Sequence, residues 1–511
     1  MLPTRSEETN ALMPRVLVGL VLLKLALHLV ANTLGNYGYF RDELYYIACS
    51  QHLDWGYVDH PPLSILLLRL SRLFLGDSLF ALRLLPALAG AALIWLTALL
   101  TRELGGGERA QVLAALGVFI APICLSLHDF YSMNAFESLC WMGCALLLLR
   151  LLRGGDPRLW LWLGALAGLG LQNKHSLAFF AGAAVLGLLL TPQRRLLYTP
   201  WSWLGGALAL LLLLPNLLWQ QAHDWPTLEF LRNAQAQKNY LLSPLEYLSA
   251  QMLYQHPFAL PLWAGGALGL LFHPRLKQCR CFGIAFVALL AFLVIQRGKP
   301  YYLSPIFPLL LAAGAVLGEY HLSRRWFGAY GLVLALGGAL VLPLALPLLP
   351  PATLIRCTAA LGMGEVKTEN HEAAALPQHL ADRFGWPELT AQVAQVYRTL
   401  SPAEQTQASL YAQNYGEAGA LDFFGPQYGL PPALCGHNNY WLWGKHGQSG
   451  QVLIAVGGDP DDYRQFYESV AQVAIHTHAY AMPYERDLPI FLCRGPKMPL
   501  AEIWPTAKRY I

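Results

Sequence analysis

Charge is scarce in this sequence. Of 511 residues only 13% are Asp, Glu, Lys or Arg, where an average soluble domain has roughly 25%. With 55% hydrophobic residues and a mean hydropathy of +0.38, that scarcity excludes a chain soluble throughout. Net charge is only +4, too little charge of one sign to point to a nucleic-acid partner. No internal repeat or low-complexity tract is visible, which argues against the repeated halves of many transporters. No His-x-x-x-His spacing occurs, and the Cys279–Cys281 pair is a weak metal signal. No small-residue cleavage pattern follows the first apolar run, so that run is expected to be a retained helix rather than a signal peptide. Of nine cysteines, Cys49, Cys357, Cys435 and Cys493 fall on one side of the expected membrane; their pairing is left open.

What is present is a series of long apolar runs. Expected spans are 14–34, 79–100, 112–127, a run from about Asn134 to Arg150, 159–171, 177–190, 203–219, 257–272, 282–295, 303–318 and 327–349, about eleven in all at or somewhat below bilayer length. Every second loop is short and basic: Arg102/Arg109, Arg150/Arg153/Arg158, Arg194/Arg195, Arg275/Lys277/Arg280 and Arg324/Arg325. By the positive-inside rule these loops are cytoplasmic, and the alternate loops and the C-terminal segment face out. The expected fold is a polytopic α-helical membrane protein, residues 1–350, with a soluble extracytoplasmic α/β domain at 351–511. In that domain 376–400 reads as helix, 408–411, 451–456 and 489–493 as strands, and 459–472 as a helix with Pro460 in its first turn.

The first outer loop, 35–78, interrupts this apolar pattern. Its stretch YGYFRDELYYIACSQHLDWGYVDHPPL carries Arg41, Asp42, Glu43, Asp54, Asp59 and His60 beside five Tyr and one Trp. Charge this dense next to a span is costly unless it faces water or performs chemistry. Asp42 is expected to cap a helix running to about His52, and Leu63–Phe74 to lie along the interface with Arg69 and Arg72 reaching headgroups. Three more outward stretches hold polar groups: His128/Asp129 with Asn134/Glu137, Lys174/His175, and Arg297/Lys299 with Tyr301/Tyr302. Carboxylates fall in the first two sets and cations in the last two. That division suits proton removal from an acceptor hydroxyl together with stabilisation of a departing phosphate. A lipid-linked phosphosugar is the natural substrate at an interface. Plainer readings stand beside these: Glu43 as a helix cap, His60 as a turn residue, His128 and Asp129 as loop polar groups, Lys174 and Lys299 as helix-end residues snorkelling to water.

The runs Arg-Asp-Glu-Leu-Tyr-Tyr, Asp-His-Pro-Pro-Leu, Gln-Asn-Lys-His and Arg-Gly-Lys-Pro-Tyr-Tyr-Leu-Ser-Pro, in that order, resemble glycosyltransferase family 39 and its bacterial relatives. Those relatives include protein O-mannosyltransferases and lipid A aminoarabinose transferases. NYGEAGALDFFG and GHNNYWLWG, in the C-terminal part, resemble a bacterial branch of the same group. The resemblance implies a GT-C fold, a polyprenyl-phosphate sugar donor and an acid in the first outer loop, matched by Asp42. Where many relatives carry Asp, this chain has Asn134, with Glu137 one turn on to supply a carboxylate.

The resulting expectation is a membrane glycosyltransferase of the bacterial cytoplasmic (inner) membrane, acting on the extracytoplasmic face. Asp42, with Glu43 beside it, is catalytic, and Lys174, Arg297, Lys299, Tyr301 and Tyr302 bind the donor phosphate. Arg41, Asp59, His60, His128, Asp129, Asn134, Glu137 and His175 line the acceptor side or cavity. No cofactor is required; a divalent ion on Asp59, His60, His128 or Glu137 is the alternative. The acceptor is a protein, lipid or glycan. A transporter or flippase of a lipid-linked sugar, and a catalytically dead binder of that lipid, are the competing functions.

Overall fold

The structure, a computed structural model, describes residues 15–238, 242–362, 372 and 374–511. The polar N-terminal dozen residues, expected to be loose, lie outside the described residues. Each apolar run expected to span is helical. Among the described residues, seven helices are long and apolar enough to cross a membrane: Arg15–Leu34, Leu79–Glu103, Asn134–Leu152, Pro200–Ala222, Pro274–Ile295, Pro300–His321 and Arg324–Ala345. An eighth arises if Leu177–Leu189 and Pro192–Tyr198, bent by 117°, form one span. Three further expected spans are shorter helices: Glu108–Ile120 followed by Pro122–Ser126, Leu159–Asn173, and Pro257–Phe272. Helix length therefore does not confirm the count of eleven. The chain is a multi-pass membrane protein.

The residues group into two units. The first comprises Met1–Leu34, Phe80–Trp219 and Tyr240–Leu348; the second comprises Gly35–Leu79, Gln220–Asn239 and Leu349–Ile511. Within the first unit, helices Leu260–Phe272 and Phe307–His321 approach closely at Gly266 and Gly314. A Cβ on Gly266 would run into the Leu310 carbonyl, and one on Gly314 into that of Leu262. Small residues at such contacts let backbones meet where lipid gives no hydrophobic drive to pack. The basic loops of this unit are tied together. Glu103 binds Arg150 (3.3 Å) and Arg153 (3.0 Å), Glu319 lies 3.6 Å from Arg109, Arg275 stacks on Tyr320 and Arg158 on Trp201.

The second unit contains a five-stranded sheet: β1 (Ala408–Ala412), β2 (Ala433–Cys435), β3 (Val452–Val456), β4 (Tyr467–His476) and β5 (Leu488–Pro496), in the order β2-β1-β3-β5-β4. β1 pairs parallel with β2 and β3; β5 pairs antiparallel with β3 and β4. The expected strands correspond to β1, β3 and β5. The expected helix at 459–472 is corrected: only Pro460–Arg464 is helical, and the chain then enters β4, an edge strand with most of its residues exposed or half-buried. Pro460 signalled a helix start but not its length, and pairing with β5 outweighs the remainder. The helix expected at 376–400 is also two pieces, Gln378–Ala381 and Trp386–Arg398, with the chain turning at Gly385 (φ +92°).

In the first loop, the helix expected from Asp42 runs Arg41–Gln51 with Phe40 as its cap residue. Asp42 lies in its first turn and is not the cap. The neighbouring carboxylate does that work: Glu43 Oε2 accepts the Phe40 N–H at 2.8 Å. Helix Leu63–Leu75 bares Leu66, Leu70, Leu73 and Phe74, a stripe at helical spacing that fits an interfacial helix. Arg72 does not reach outward as expected. It donates to Asp77 (2.5 Å), Ser50 Oγ (2.5 Å) and the Ile47 carbonyl (3.1 Å), tying the loop's two helices together. All nine cysteines are free.

Candidate functional site

The sequence-expected residues fall into two groups, one in each unit. In the second unit, helix Arg41–Gln51 places Asp42 and Glu43 in adjacent positions with opposite fates. Glu43 is fully buried on its capping bond. Asp42 is 34% exposed in its side chain, and its Oδ1 accepts the Tyr415 hydroxyl at 2.9 Å, with Arg41 Nε at 3.6 Å. A carboxylate oriented by one donor yet open to solvent is suited to take a proton. Arg41 donates to the Tyr484 hydroxyl at 2.8 Å, lies 4.0 Å from Asp382, and stacks over Tyr415 and Tyr484.

Asp59 and His60 sit deeper. Asp59 Oδ1 accepts the Tyr45 hydroxyl at 2.9 Å and lies 3.9 Å from His60 Nε2. Burial pushes the Asp59 carboxyl above its usual range. The buried His60 ring stacks on Tyr46 at 4.7 Å and packs against Tyr57 at 4.7 Å. Asn439, in the GHNNYWLWG run, joins this cluster: its Oδ1 accepts the Val58 N–H at 2.7 Å and the Tyr45 hydroxyl at 3.3 Å. Tyr415, Tyr484, Asp382 and Asn439 were not among the expected site residues. The NYGEAG and GHNNYWLWG runs signalled two of them. Asp382 and Tyr484 gave no signal.

In the first unit, Lys174 ends helix Leu159–Asn173 and turns its ammonium onto helix Asn134–Leu152. It donates to Asn134 Oδ1 and Glu137 Oε2, each at 2.7 Å. The other Glu137 oxygen accepts the Ser176 hydroxyl. The ammonium also lies over the rings of Tyr301 (5.5 Å) and Tyr302 (4.9 Å). Three expected stretches of sequence thus converge: Asn134 with Glu137, Lys174, and Tyr301 with Tyr302. Arg297, exposed, adopts the left-handed region (φ +56°) just before Lys299, which precedes the 3-10 helix Pro300–Ile306. His175 Nε2 lies 2.9 Å from buried Asn216 Oδ1, apart from the lysine's contacts. His128 and Asp129 are buried, and His128 Nδ1 donates to the Cys124 carbonyl at 2.6 Å.

The metal candidates fit an ion poorly. Asp59 Oδ1 takes the Tyr45 hydroxyl, and both Glu137 oxygens are engaged by Lys174 and Ser176. Among the described residues, no three His, Cys, Asp or Glu groups come together as a metal site.

Residues 59–219 match the family model for dolichyl-phosphate-mannose-protein mannosyltransferase. No curated protein matches. Among solved structures, ArnT from Cupriavidus metallidurans bound to undecaprenyl phosphate is similar over 93% of this chain and 97% of its own, with 16% identity and a TM-score of 0.58. The archaeal oligosaccharyltransferase AglB from Archaeoglobus fulgidus, in complex with an inhibitory peptide and a dolichol-phosphate, is similar over 82% of this chain and 64% of its own (13% identity, TM-score 0.50). Arabinofuranosyltransferase AftD from Mycobacteria is similar over 95% of this chain and 42% of its own (16% identity, TM-score 0.50). The resemblance read from the motifs is supported by the match over residues 59–219, and the chain shares its fold with ArnT.

Proposed function

We propose that this chain, with its GT-C fold, is an integral membrane glycosyltransferase. It moves a sugar from a polyprenyl-phosphate donor to an acceptor hydroxyl at the extracytoplasmic face, with inversion. The observation that carries the reading is Asp42, a carboxylate oriented by Tyr415 and still open to solvent. Undecaprenyl phosphate bound to ArnT and dolichol-phosphate bound to AglB support the donor class.

In this reading the acceptor oxygen attacks the anomeric carbon while the bond to the donor phosphate breaks. The hydroxyl proton passes to Asp42, because the hydroxyl becomes acidic only as the new bond forms. The leaving phosphate is already activated and needs no protonation, so one displacement suffices. A glycosidase, by contrast, needs a second carboxyl to protonate its leaving oxygen. Arg297 and Lys299 supply cationic charge for the departing phosphate. Lys174 uses two of its three N–H donors on Asn134 and Glu137, leaving the third for a phosphate oxygen. Tyr301 and Tyr302 hold the ammonium in place.

The test is turnover of a radiolabelled polyprenyl-phosphate sugar by the purified protein, beside donor affinity. Asp42→Asn should bind donor normally and lose roughly 10²–10⁴-fold in turnover. Lys299→Ala should cost about 2.7–4 kcal/mol of transition-state stabilisation, if its loss resembles that of an oxyanion-hole donor. Full turnover in Asp42→Asn with a dead Glu137→Gln would move the base to the other carboxylate. Donor crossing vesicle membranes without sugar transfer would make the protein a flippase.

A further inference from the structure

Asp42 alone does not determine its own orientation. It sits in the first turn of Arg41–Gln51 with one oxygen on the Tyr415 hydroxyl. Tyr415 opens helix Tyr415–Phe424, whose N-terminus is capped by Asn414, the Asn414 Oδ1 accepting Gly416 N–H (2.8 Å) and Glu417 N–H (3.1 Å). Its ring is held on three sides: stacked on Tyr45 at 4.6 Å, against His437 at 4.5 Å, and under the Arg41 guanidinium at 5.4 Å. The two helices meet at Gly419, where a Cβ would lie 2.9 Å from the Leu44 carbonyl carbon. Only glycine allows that approach, and the approach is what brings a hydroxyl 373 positions away onto the carboxylate.

Resting on the reading of Asp42 as the base, we infer that Tyr415 is the positioning residue of this transferase: the C-terminal segment of the chain aims the carboxylate of the first loop. The hydroxyl donates to Oδ1, fixes the side-chain rotamer and leaves the rest of the carboxylate toward solvent. Its removal frees the side chain to turn, including toward Arg41, whose Nε is already 3.6 Å away. Rotational freedom at a catalytic group lowers rate more than substrate binding, because the productive geometry must then be found anew in each turnover.

The experiment is a double-mutant cycle in the full-length protein, reading kcat, donor KM and Tm. Tyr415→Phe keeps the ring and its stacking and removes one hydrogen bond to a charged group, so kcat should fall about tenfold or more while donor KM stays within about twofold. In an Asp42→Asn background the same substitution should change kcat little, because the group it positions is gone. Tyr440→Phe is the control. It loses a similar hydroxyl–carboxylate bond, to Asp422 at 2.8 Å, and should lower Tm with wild-type kcat. Wild-type kcat in Tyr415→Phe, or an equal loss in both backgrounds, overturns the inference and leaves the base assignment standing. Wild-type turnover in Asp42→Asn overturns both.

Discussion

Adjacent carboxylates show how the environment of a residue decides its work. Asp42 and Glu43 have the same chemistry and adjoining positions, yet Glu43 is spent on the Phe40 N–H and only Asp42 meets solvent. Deeper in the same unit, Glu417 and Glu485 form a buried acid pair. Glu417 accepts from Gln413 N–H, Gln413 Nε2 and Asn414 Nδ2, and Asn414 Nδ2 also donates to Glu485. Burial pushes the Glu417 carboxyl up from 4.5 to about 7, and burial with the neighbouring Glu417 raises Glu485 as well. Glu417 therefore holds its proton more tightly folded than unfolded. Its contribution to stability is full below pH 4.5 and declines as pH rises through about 7. Gln imitates the protonated acid, so Glu417→Gln should gain in Tm over wild type as pH rises across that window. A Tm difference independent of pH would sink this account.

At the scale of elements, hydropathy located the helices, and packing decided their breaks and contacts. The run expected at 112–127 is interrupted between Ile120 and Pro122, and the resulting short helix leaves carbonyls without intrahelical donors. Lys24 Nζ donates to the Cys124 carbonyl at 3.0 Å, His28 Nε2 lies 3.1 Å from that of Leu125, and His128 Nδ1 adds the bond to Cys124. Polar residues inside an apolar run here satisfy broken backbone. Contact between Leu260–Phe272 and Phe307–His321 likewise depends on absent side chains. Gly314→Val should cost about 1–3 kcal/mol of stability by overpacking, read as a lower melting temperature in detergent. Gly182→Val, with nothing within 4 Å of its Cβ position, should melt like wild type. Equal melting of the two variants would show that the helices separate freely.

For the molecule as a whole, the alternation of basic loops is the strongest organising signal. The structure adds that acidic partners join those loops within the first unit, through Glu103 to Arg150 and Arg153 and through Glu319 to Arg109. The Lys174 cluster lies at the opposite end of helix Leu159–Asn173 from Arg158. The basic-loop alternation leads us to predict that residues 374–511 face the extracytoplasmic side. A Ser449→Cys variant should label with an impermeant maleimide in intact cells. Labelling only after the inner membrane is opened would invert the topology.

The sequence by itself determined where the chain is helical and apolar, which loops are basic, and that Asp42, Lys174 and the Arg297–Tyr302 run belong to unusual polar stretches. Those properties are local: hydropathy and charge are read over some twenty residues and need no knowledge of distant partners. The Glu43 cap on Phe40 is itself local, three residues away, and is one of the sequence readings. Tertiary structure alone decided that Lys174 is paired with Glu137, that 467–476 is an edge strand, and that Tyr415 reaches Asp42. Each depends on chain brought together across long separations, 37 residues for Lys174 and Glu137 and 373 for Tyr415 and Asp42. At such distances the outcome is set by which surfaces pack and which polar groups would otherwise be buried unpaired, and a local pattern carries no record of either.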